Sequence, residues 1–273
     1  YVACFLFHCR DIIKVGNLSV SSDKGGKSVL VKQYKEETLL RTCNCDFTGQ
    51  WRPSAILETM QEVAGTHSEL IGVGRNALIE QDLVWVLTRV EVVMNRYPKV
   101  TDTISVETFP MPVRRWFFPR YFVFRDDQGQ ELGRAGSLWV LLNLSTRHMA
   151  PPDSILSLMP DNSDLVAPLG LPGPVTEVSG AVTTERKVPV YTDLDVNHHV
   201  NNTKYMDWCC NALGIDCMKE RALRRFCLNY DVEVLPGQEI RTELRTLGDH
   251  FSYCGFHESQ RSFDIGGELM ARK

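Results

Sequence analysis

One order of elements can be read twice along this chain: a short strand, a single amphipathic helix, then a run of long strands separated by turn residues. In the first copy, strand-like residues 38–48 lead into Trp51-Arg52-Pro53, with proline placed where a helix begins. Ile56, Leu57, Met60, Val63 and Ala64 then recur with the spacing of one buried helical stripe, and Gly72 and Gly74 stop it. Strand patterns follow over 83–95, 103–113, 116–126 and 131–144. In the second copy the strand is 185–191, and Asn201 or Asn202 is expected to cap a helix striped by Tyr205, Met206, Cys209, Cys210 and Leu213. Gly214 closes that helix, and strand patterns return over 223–234, 238–248, 250–259 and 266–273.

A repeat of this kind restricts the architecture severely. One long helix wrapped by an antiparallel sheet is a hotdog, and two in one chain make a tandem (double) hotdog of the α+β class. The expected division is a non-native or disordered leader over 1–30, an N-terminal hotdog over 36–150, a linker over 151–180 and a C-terminal hotdog over 181–273. The linker holds six of the thirteen prolines within 24 residues (Pro151 to Pro174), a density suited to a chain laid over a surface. The leader begins at Tyr1 with an apolar stretch that lacks a basic region before it and a clear cleavage site, so it is a poor signal peptide. Gly26-Lys27-Ser28 resembles the end of a phosphate loop, but Ser21 stands where its first glycine is needed.

Composition narrows the function. Thirty basic and thirty-four acidic side chains give a net charge of −4, against a protein that coats nucleic acid. No run of about 18 apolar residues offers a membrane span. Nine cysteines, an odd number without a CxxC pair, read as reduced thiols in a cytoplasm rather than a disulfide framework or a zinc site. Cys43 and Cys45, two apart, would share one face of a strand.

The densest polar stretch is Asp193 to Asn202, where seven of ten side chains are polar. Asp195, Asn197 and His199 stand at i, i+2 and i+4, so in an extended segment they converge, while His198 points away. A helix is about to start there, and its free N–H groups and positive dipole end suit a developing oxyanion. The plain reading is an elaborate helix cap, since Asp and Asn are good turn and cap residues. Both readings stand on the residues alone.

Asp-Leu-Asp-Val-Asn-His-His-Val-Asn-Asn-x-x-Tyr followed by Trp208 resembles the signature of the plant and bacterial acyl-acyl carrier protein (ACP) thioesterases. Residues 83–108 and 131–149 are similar to the N-terminal hotdog of the same family, so the resemblance runs from about residue 36 to the end. The shorter D-x-x-x-H-V-N-N part is shared with hotdog acyl-CoA thioesterases. The resemblance implies a catalytic site in the C-terminal hotdog made of Asp195, Asn197, His199 and a glutamate on the following strand, Glu233. Some family members have a cysteine directly after that glutamate; Val234 stands here, which implies carboxylate rather than thiol chemistry.

The implied activity is hydrolysis of fatty acyl-ACP to free fatty acid and ACP, ending chain elongation. Alternatives are a hotdog acyl-CoA thioesterase and a non-catalytic acyl-binding protein. No metal or organic cofactor is implied, because the phosphopantetheine belongs to the substrate. The partner is acyl-ACP, the compartment a bacterial-type cytoplasm, and the oligomeric state stays open: hotdogs pair as homodimers, but a double hotdog holds its pair within one chain.

Thioester hydrolysis needs a positioned water, a base and an oxyanion donor. Glu233, with or without Asp195, would activate water, Asn197 would hold the carbonyl oxygen, and His199 would orient the carboxylate or share its proton. Direct attack by Asp195 is the alternative. His67 is expected to be structural, and Trp85, Trp116, Trp139 and Trp208 to be packing aromatics, one or two of them lining an acyl tunnel. Arg114-Arg115, Arg186-Lys187 and Arg224-Arg225 read either as solvated strand ends or as grips for the phosphopantetheine and the acidic carrier.

Overall fold

The computed structural model describes residues 31–272; the expected leader over 1–30, including Gly26-Lys27-Ser28, lies outside the described residues. The first half consists of β1 (Tyr34–Leu39), α1 (Pro53–Leu70), α2 (Arg75–Ile79), β2 (Leu83–Met94), β3 (Thr103–Pro110), β4 (Phe118–Asp126) and β5 (Glu131–Asn143). The second half consists of β6 (Val182–Lys187), α3 (Lys204–Leu213), α4 (Ile215–Glu220), β7 (Arg221–Tyr230), β8 (Ile240–Leu247), β9 (His250–His257) and β10 (Gln260–Ala271). The strands form one antiparallel sheet in the order β1-β3-β4-β5-β2-β7-β10-β9-β8-β6. Counted outward from the centre, 2-5-4-3-1 and 7-10-9-8-6 are the same topology, so the repeat in the sequence is a repeat in space.

The halves join through β2 and β7, paired from Arg89↔Asn229 to Val93↔Arg225. Alternation sets which face is buried: Val90, Val92 and Met94 of β2 and Phe226 and Leu228 of β7 all belong to the core. The two long helices cover that face. The α1 stripe of Ile56, Leu57, Met60, Val63 and Ala64 is buried, and on α3 Tyr205, Met206, Trp208 and Cys209 are buried while Cys210 and Leu213 are partly so. Between the helices the Ser54 hydroxyl donates to Asp207 and the Gln61 amide donates to Asn202. A second, smaller core (Ile71, Val73, Leu78, Leu83, Phe118, Leu141, Ala150, Ile155) sits beneath α2 in the first half. Among the described residues no helix is long and apolar enough to cross a membrane.

Several local expectations shift. The first strand is Tyr34–Leu39 rather than 38–48, because a 3-10 turn at Thr42–Asn44 breaks the pattern, with Asn44 Oδ1 accepting from Arg41 N–H at 3.0 Å. Cys43 therefore lies exposed in the turn, and Cys45 only bridges to Trp51. All seven described cysteines are free thiols. Neither Asn201 nor Asn202 caps α3; its N-cap is Thr203, and Asn201 Oδ1 instead accepts from Thr203 N–H (2.9 Å) and Oγ1 (2.8 Å) one step earlier. The sequence pattern also omits α2 and α4, which at 5 and 6 residues are too short to show a period.

Between β5 and β6 the chain forms two single 3-10 turns, at Pro152–Ser154 and Leu156–Leu158. It then crosses the sheet where glycines leave room. A Cβ on Gly136 would meet Pro172 Cδ at 3.5 Å, and one on Gly266 would meet Val175 Cγ1 at 2.6 Å.

Candidate active site

The loop that carries the polar stretch is a closed turn, not an extended segment. Leu194 bridges to Val200, His199 C=O accepts from Asp195 N–H at 3.0 Å, and Asp195 C=O accepts from His198 N–H at 3.0 Å. Closing the turn puts His198 at φ 64°, a left-handed conformation that disfavours a residue with a Cβ. The turn, rather than strand alternation, brings Asp195 and His199 to face each other. Asp195 Oδ1 accepts from Asn197 N–H at 2.8 Å, and Oδ2 lies 3.7 Å from His199 Nδ1. His199 Nδ1 also lies 3.2 Å from the Val200 carbonyl oxygen, which can only accept. The Nδ1 proton is thereby placed, leaving Nε2 with the lone pair in the neutral ring.

Glu233 is not on a strand. β7 ends at Tyr230, and Glu233 follows in a loop whose Val234 C=O accepts from Val200 N–H at 2.9 Å. The loop thus lies beside the turn, yet no hydrogen bond or ion pair joins Glu233 to Asp195, Asn197 or His199 among the described residues. Its carboxylate is held by Arg147 of the first half, Oε1 to Nη2 at 3.0 Å. Arg147 sits in the turn after β5 at φ 59°, a position with no pattern in the sequence to announce it. Tyr205 lies between these groups: burial raises its hydroxyl pKa, the charges of Asp195 and Glu233 raise it further, and a backbone hydrogen bond with Val234 acts the other way.

Asn197 reaches a cavity of about 260 Å³. Every other described residue on that wall comes from the first half or, as Met159, from the connection after it. α1 contributes Gln61, Ala64, Gly65 and Ser68, and α2 with its approach contributes Gly74, Arg75 and Leu78. Trp85 and Trp139 line it, while Trp208 packs on Tyr205 and Phe263 and Trp116 is partly exposed. Trp85 Nε1 donates to Val73 C=O at 2.9 Å, which fixes its ring against the cavity. Arg120 also lines this wall.

His67 is fully buried, its Nε2 2.8 Å from Val31 C=O and its Nδ1 2.9 Å from Arg120 Nη1. A carbonyl only accepts and a guanidinium only donates, so the imidazole is neutral with its proton on Nε2. Burial, reinforced by the Arg120 charge, lowers its pKa to about 4.

The first half contains the same loop. A 3-10 turn at Thr42–Asn44 matches one at Tyr191–Asp193, the Cys45–Trp51 bridge matches Leu194–Val200, and Trp51 N–H donates to Pro98 C=O as Val200 N–H does to Val234. Asp46, Thr48, Gly49 and Gln50 therefore stand where Asp195, Asn197, His198 and His199 stand in the second half. There the site is filled: Arg272 gives Nη2 to Asp46 Oδ2 at 2.7 Å and Nη1 to Thr48 Oγ1 at 2.7 Å and to Gln50 Oε1. No cationic side chain takes that place on Asp195, Asn197 or His199 among the described residues.

Family comparison covers both halves: the acyl-ACP thioesterase N-terminal domain matches residues 31–157 and the C-terminal domain matches residues 179–270. The chain belongs to the acyl-ACP thioesterase family. An acyl-[acyl-carrier-protein] hydrolase of the Cuphea viscosissima chloroplast is 29% identical over 231 residues, covering 79% of this chain and 55% of its own length. The chain thus spans about half the length of the curated relatives it matches. Among solved structures, an acyl-ACP thioesterase from Bacteroides thetaiotaomicron superposes with a TM-score of 0.79 at 24% identity, covering 88% of this chain and 98% of that one. The 12:0-ACP thioesterase from Umbellularia californica gives 0.76 at 23% identity, with 89% and 99% covered. At that identity the two structures establish the fold, a double hotdog.

Of the basic doublets, four members are paired within the chain: Arg186 with Glu239, Lys187 with Glu185, Arg224 with Glu268 and Arg225 with Glu91. Among the described residues Arg114 and Arg115 form no ion pair. No group of three or more His, Cys, Asp or Glu side chains could hold a metal ion among the described residues.

Proposed function

We propose that this protein hydrolyses fatty acyl-ACP to free fatty acid and ACP, with Asp195, Asn197, His199 and Glu233 as its catalytic residues. One observation carries the reading: the polar loop of the second half presents Asn197 to an otherwise first-half, largely apolar cavity of acyl-chain size. A thioester seated there would have its tail along α1 and its carbonyl at the loop.

Asn197 donates its side-chain amide to the carbonyl oxygen as that oxygen becomes an oxyanion. His199 Nε2 removes a proton from water while Nδ1–H is directed toward Val200 C=O and Asp195. Water oxygen bonds to the carbonyl carbon, the carbon–sulfur bond breaks, and the pantetheine thiolate leaves and takes the proton. Its conjugate acid has a pKa of roughly 8.5, so little acid assistance is required. Asp195 has one oxygen on Asn197 N–H and the other toward His199, which favours orientation of the imidazole over direct attack on the substrate. Glu233, tethered by Arg147 beside Tyr205, borders the site and orients the water from the opposite side. The reaction so written uses no metal and no organic cofactor. Free thiols throughout the described residues favour a reducing compartment such as the cytoplasm.

Thiol release from a panel of acyl-ACPs and the matching acyl-CoAs tests the reading. Turnover of acyl-ACP well above acyl-CoA is expected. Preference for CoA would move the protein to the acyl-CoA branch, and silence on both from folded protein would leave an acyl-binding role.

A further inference from the structure

Arg120 is 7% exposed, lines the cavity and, among the described residues, pairs with no carboxylate. Its guanidinium gives Nη1 to His67 Nδ1 at 2.9 Å and Thr108 Oγ1 at 3.3 Å, and Nη2 to Ser68 Oγ at 3.3 Å. All three acceptors are neutral, the imidazole because its other nitrogen donates to Val31 C=O. Among the described residues three of five N–H donors are therefore used and two remain. Burial lowers the Arg120 pKa to about 10, with no acidic side chain acting against the shift, so the group is still a cation at neutral pH. Glu69, the one carboxylate on the described cavity wall, is turned to Arg75 N–H at 3.0 Å. A buried cation without a counter-ion is costly, and a carboxylate with two acceptor oxygens is its natural complement.

The position of that cation along the cavity is set by α1. Gln61 donates to Asn202 in the stretch that follows the Asn197 turn, and Ser68 accepts from Arg120. Seven residues of helix separate them, about 10 Å, which an extended hydrocarbon spans with roughly eight methylenes.

We propose that the cavity takes acyl chains of about ten carbons whose far end carries a carboxylate, bound by Arg120 while the thioester lies at Asn197. This rests on the thioesterase reading for the placement of the thioester end. Arg120 is then a specificity-determining residue: it supplies to a dicarboxylic half-thioester the pairing that a methyl-terminated chain cannot offer, and burying a methyl against an unpaired guanidinium leaves the charge uncompensated.

The test uses two non-hydrolysable probes and the full chain. They are the pantetheine amides of decanoic acid and of decanoic acid bearing a carboxylate on its terminal carbon, with nitrogen in place of the thioester sulfur. Calorimetry should show the carboxylate-terminated probe binding at least tenfold more tightly to the wild-type protein, and Arg120→Met should abolish that preference. Should Arg120→Met fold poorly, Arg120→Lys, which keeps the charge and loses the fork, should retain a smaller preference. Equal binding of the two probes by the wild type, or preference for the methyl-terminated one, overturns the proposal whatever the protein hydrolyses. Hydrolysis of the matching acyl-ACPs separates the two readings. Preferential binding with no hydrolysis of either would uphold the carboxylate site and remove the thioesterase reading. Turnover of decanoyl-ACP without a carboxylate preference would do the reverse.

Discussion

The two equivalent loops, Asp46–Gln50 and Asp195–His199, have the same backbone hydrogen bonds and opposite fates. In the first, the carboxylate, hydroxyl and amide of Asp46, Thr48 and Gln50 close around Arg272, so the loop ties the last strand to the first half. In the second, Asn and His replace Thr and Gln, no cation arrives among the described residues, and the loop opens to a cavity built by the other half. The helices differ in the complementary sense. α1 runs for 18 residues and its later turns carry Gly65 and Ser68 on the cavity wall, whereas α3 stops after 10 at Gly214, φ 88°. One copy of the repeat thus keeps the open polar loop and the other lines the cavity, and the candidate site lies where the two meet.

The largest expected contrast is in catalysis. Asp195→Asn should lower kcat about a thousand-fold in an acyl-ACP hydrolysis assay, the scale of losing an oriented general base. The matching Asp46→Asn should leave kcat within about twofold at temperatures where the protein is folded. It should instead cost about 3 kcal/mol in urea unfolding, because it strips a nearly buried guanidinium of its charge partner. Comparable kcat losses in both would break the distinction between the loops.

Asn197→Ala should reduce kcat about a hundred-fold with a smaller change in KM, as expected of an oxyanion donor, while Thr48→Ala leaves both nearly unchanged. A KM effect alone would demote Asn197 to a cavity-wall residue.

The first half also holds a buried neutral imidazole. His67 has a folded pKa of about 4 against 6.5 unfolded, so between those values the unfolded chain binds more protons and stability rises with pH. From pH 5 to 6.5 this contributes about 1.5 kcal/mol to unfolding free energy. His67→Gln should flatten that slope in unfolding measured across the window, and an unchanged slope would assign it to other groups.

The smallest effect concerns the turn itself. Gly49 has φ 78° and needs no relief, but His198 holds φ 64° with a side chain. His198→Gly should raise stability by about 0.5–1 kcal/mol in thermal unfolding without loss of kcat. A drop in kcat would mean that His198 contributes to the reaction.

Much of the fold was legible because both periods are long. The stripe from Ile56 to Ala64 spans more than two helical turns, and β2 and β5 run for 12 and 13 residues, long enough to stand out between turn residues. Short elements left no such trace: α2 and α4 passed unseen, and the Thr42–Asn44 turn was hidden in a strand-like pattern because Asn44 redirects the backbone with its side chain. The candidate site stands out as composition at Asp195, Asn197 and His199, and as resemblance at Glu233, but strand alternation gives the wrong geometry for it, because a closed turn brings Asp195 and His199 together.

The amino-acid order by itself determined the duplicated topology, the polar loop and the family, because each is written in local spacing or in a contiguous motif. Only the tertiary structure decided which loop stays open, that Arg147 holds Glu233 across the halves, and that Arg120 is a buried cation bonded to Ser68 on the cavity wall. Those depend on contacts between residues far apart in the chain, from 52 positions for Arg120 with Ser68 to 226 for Asp46 with Arg272, and no local pattern encodes a partner at that distance.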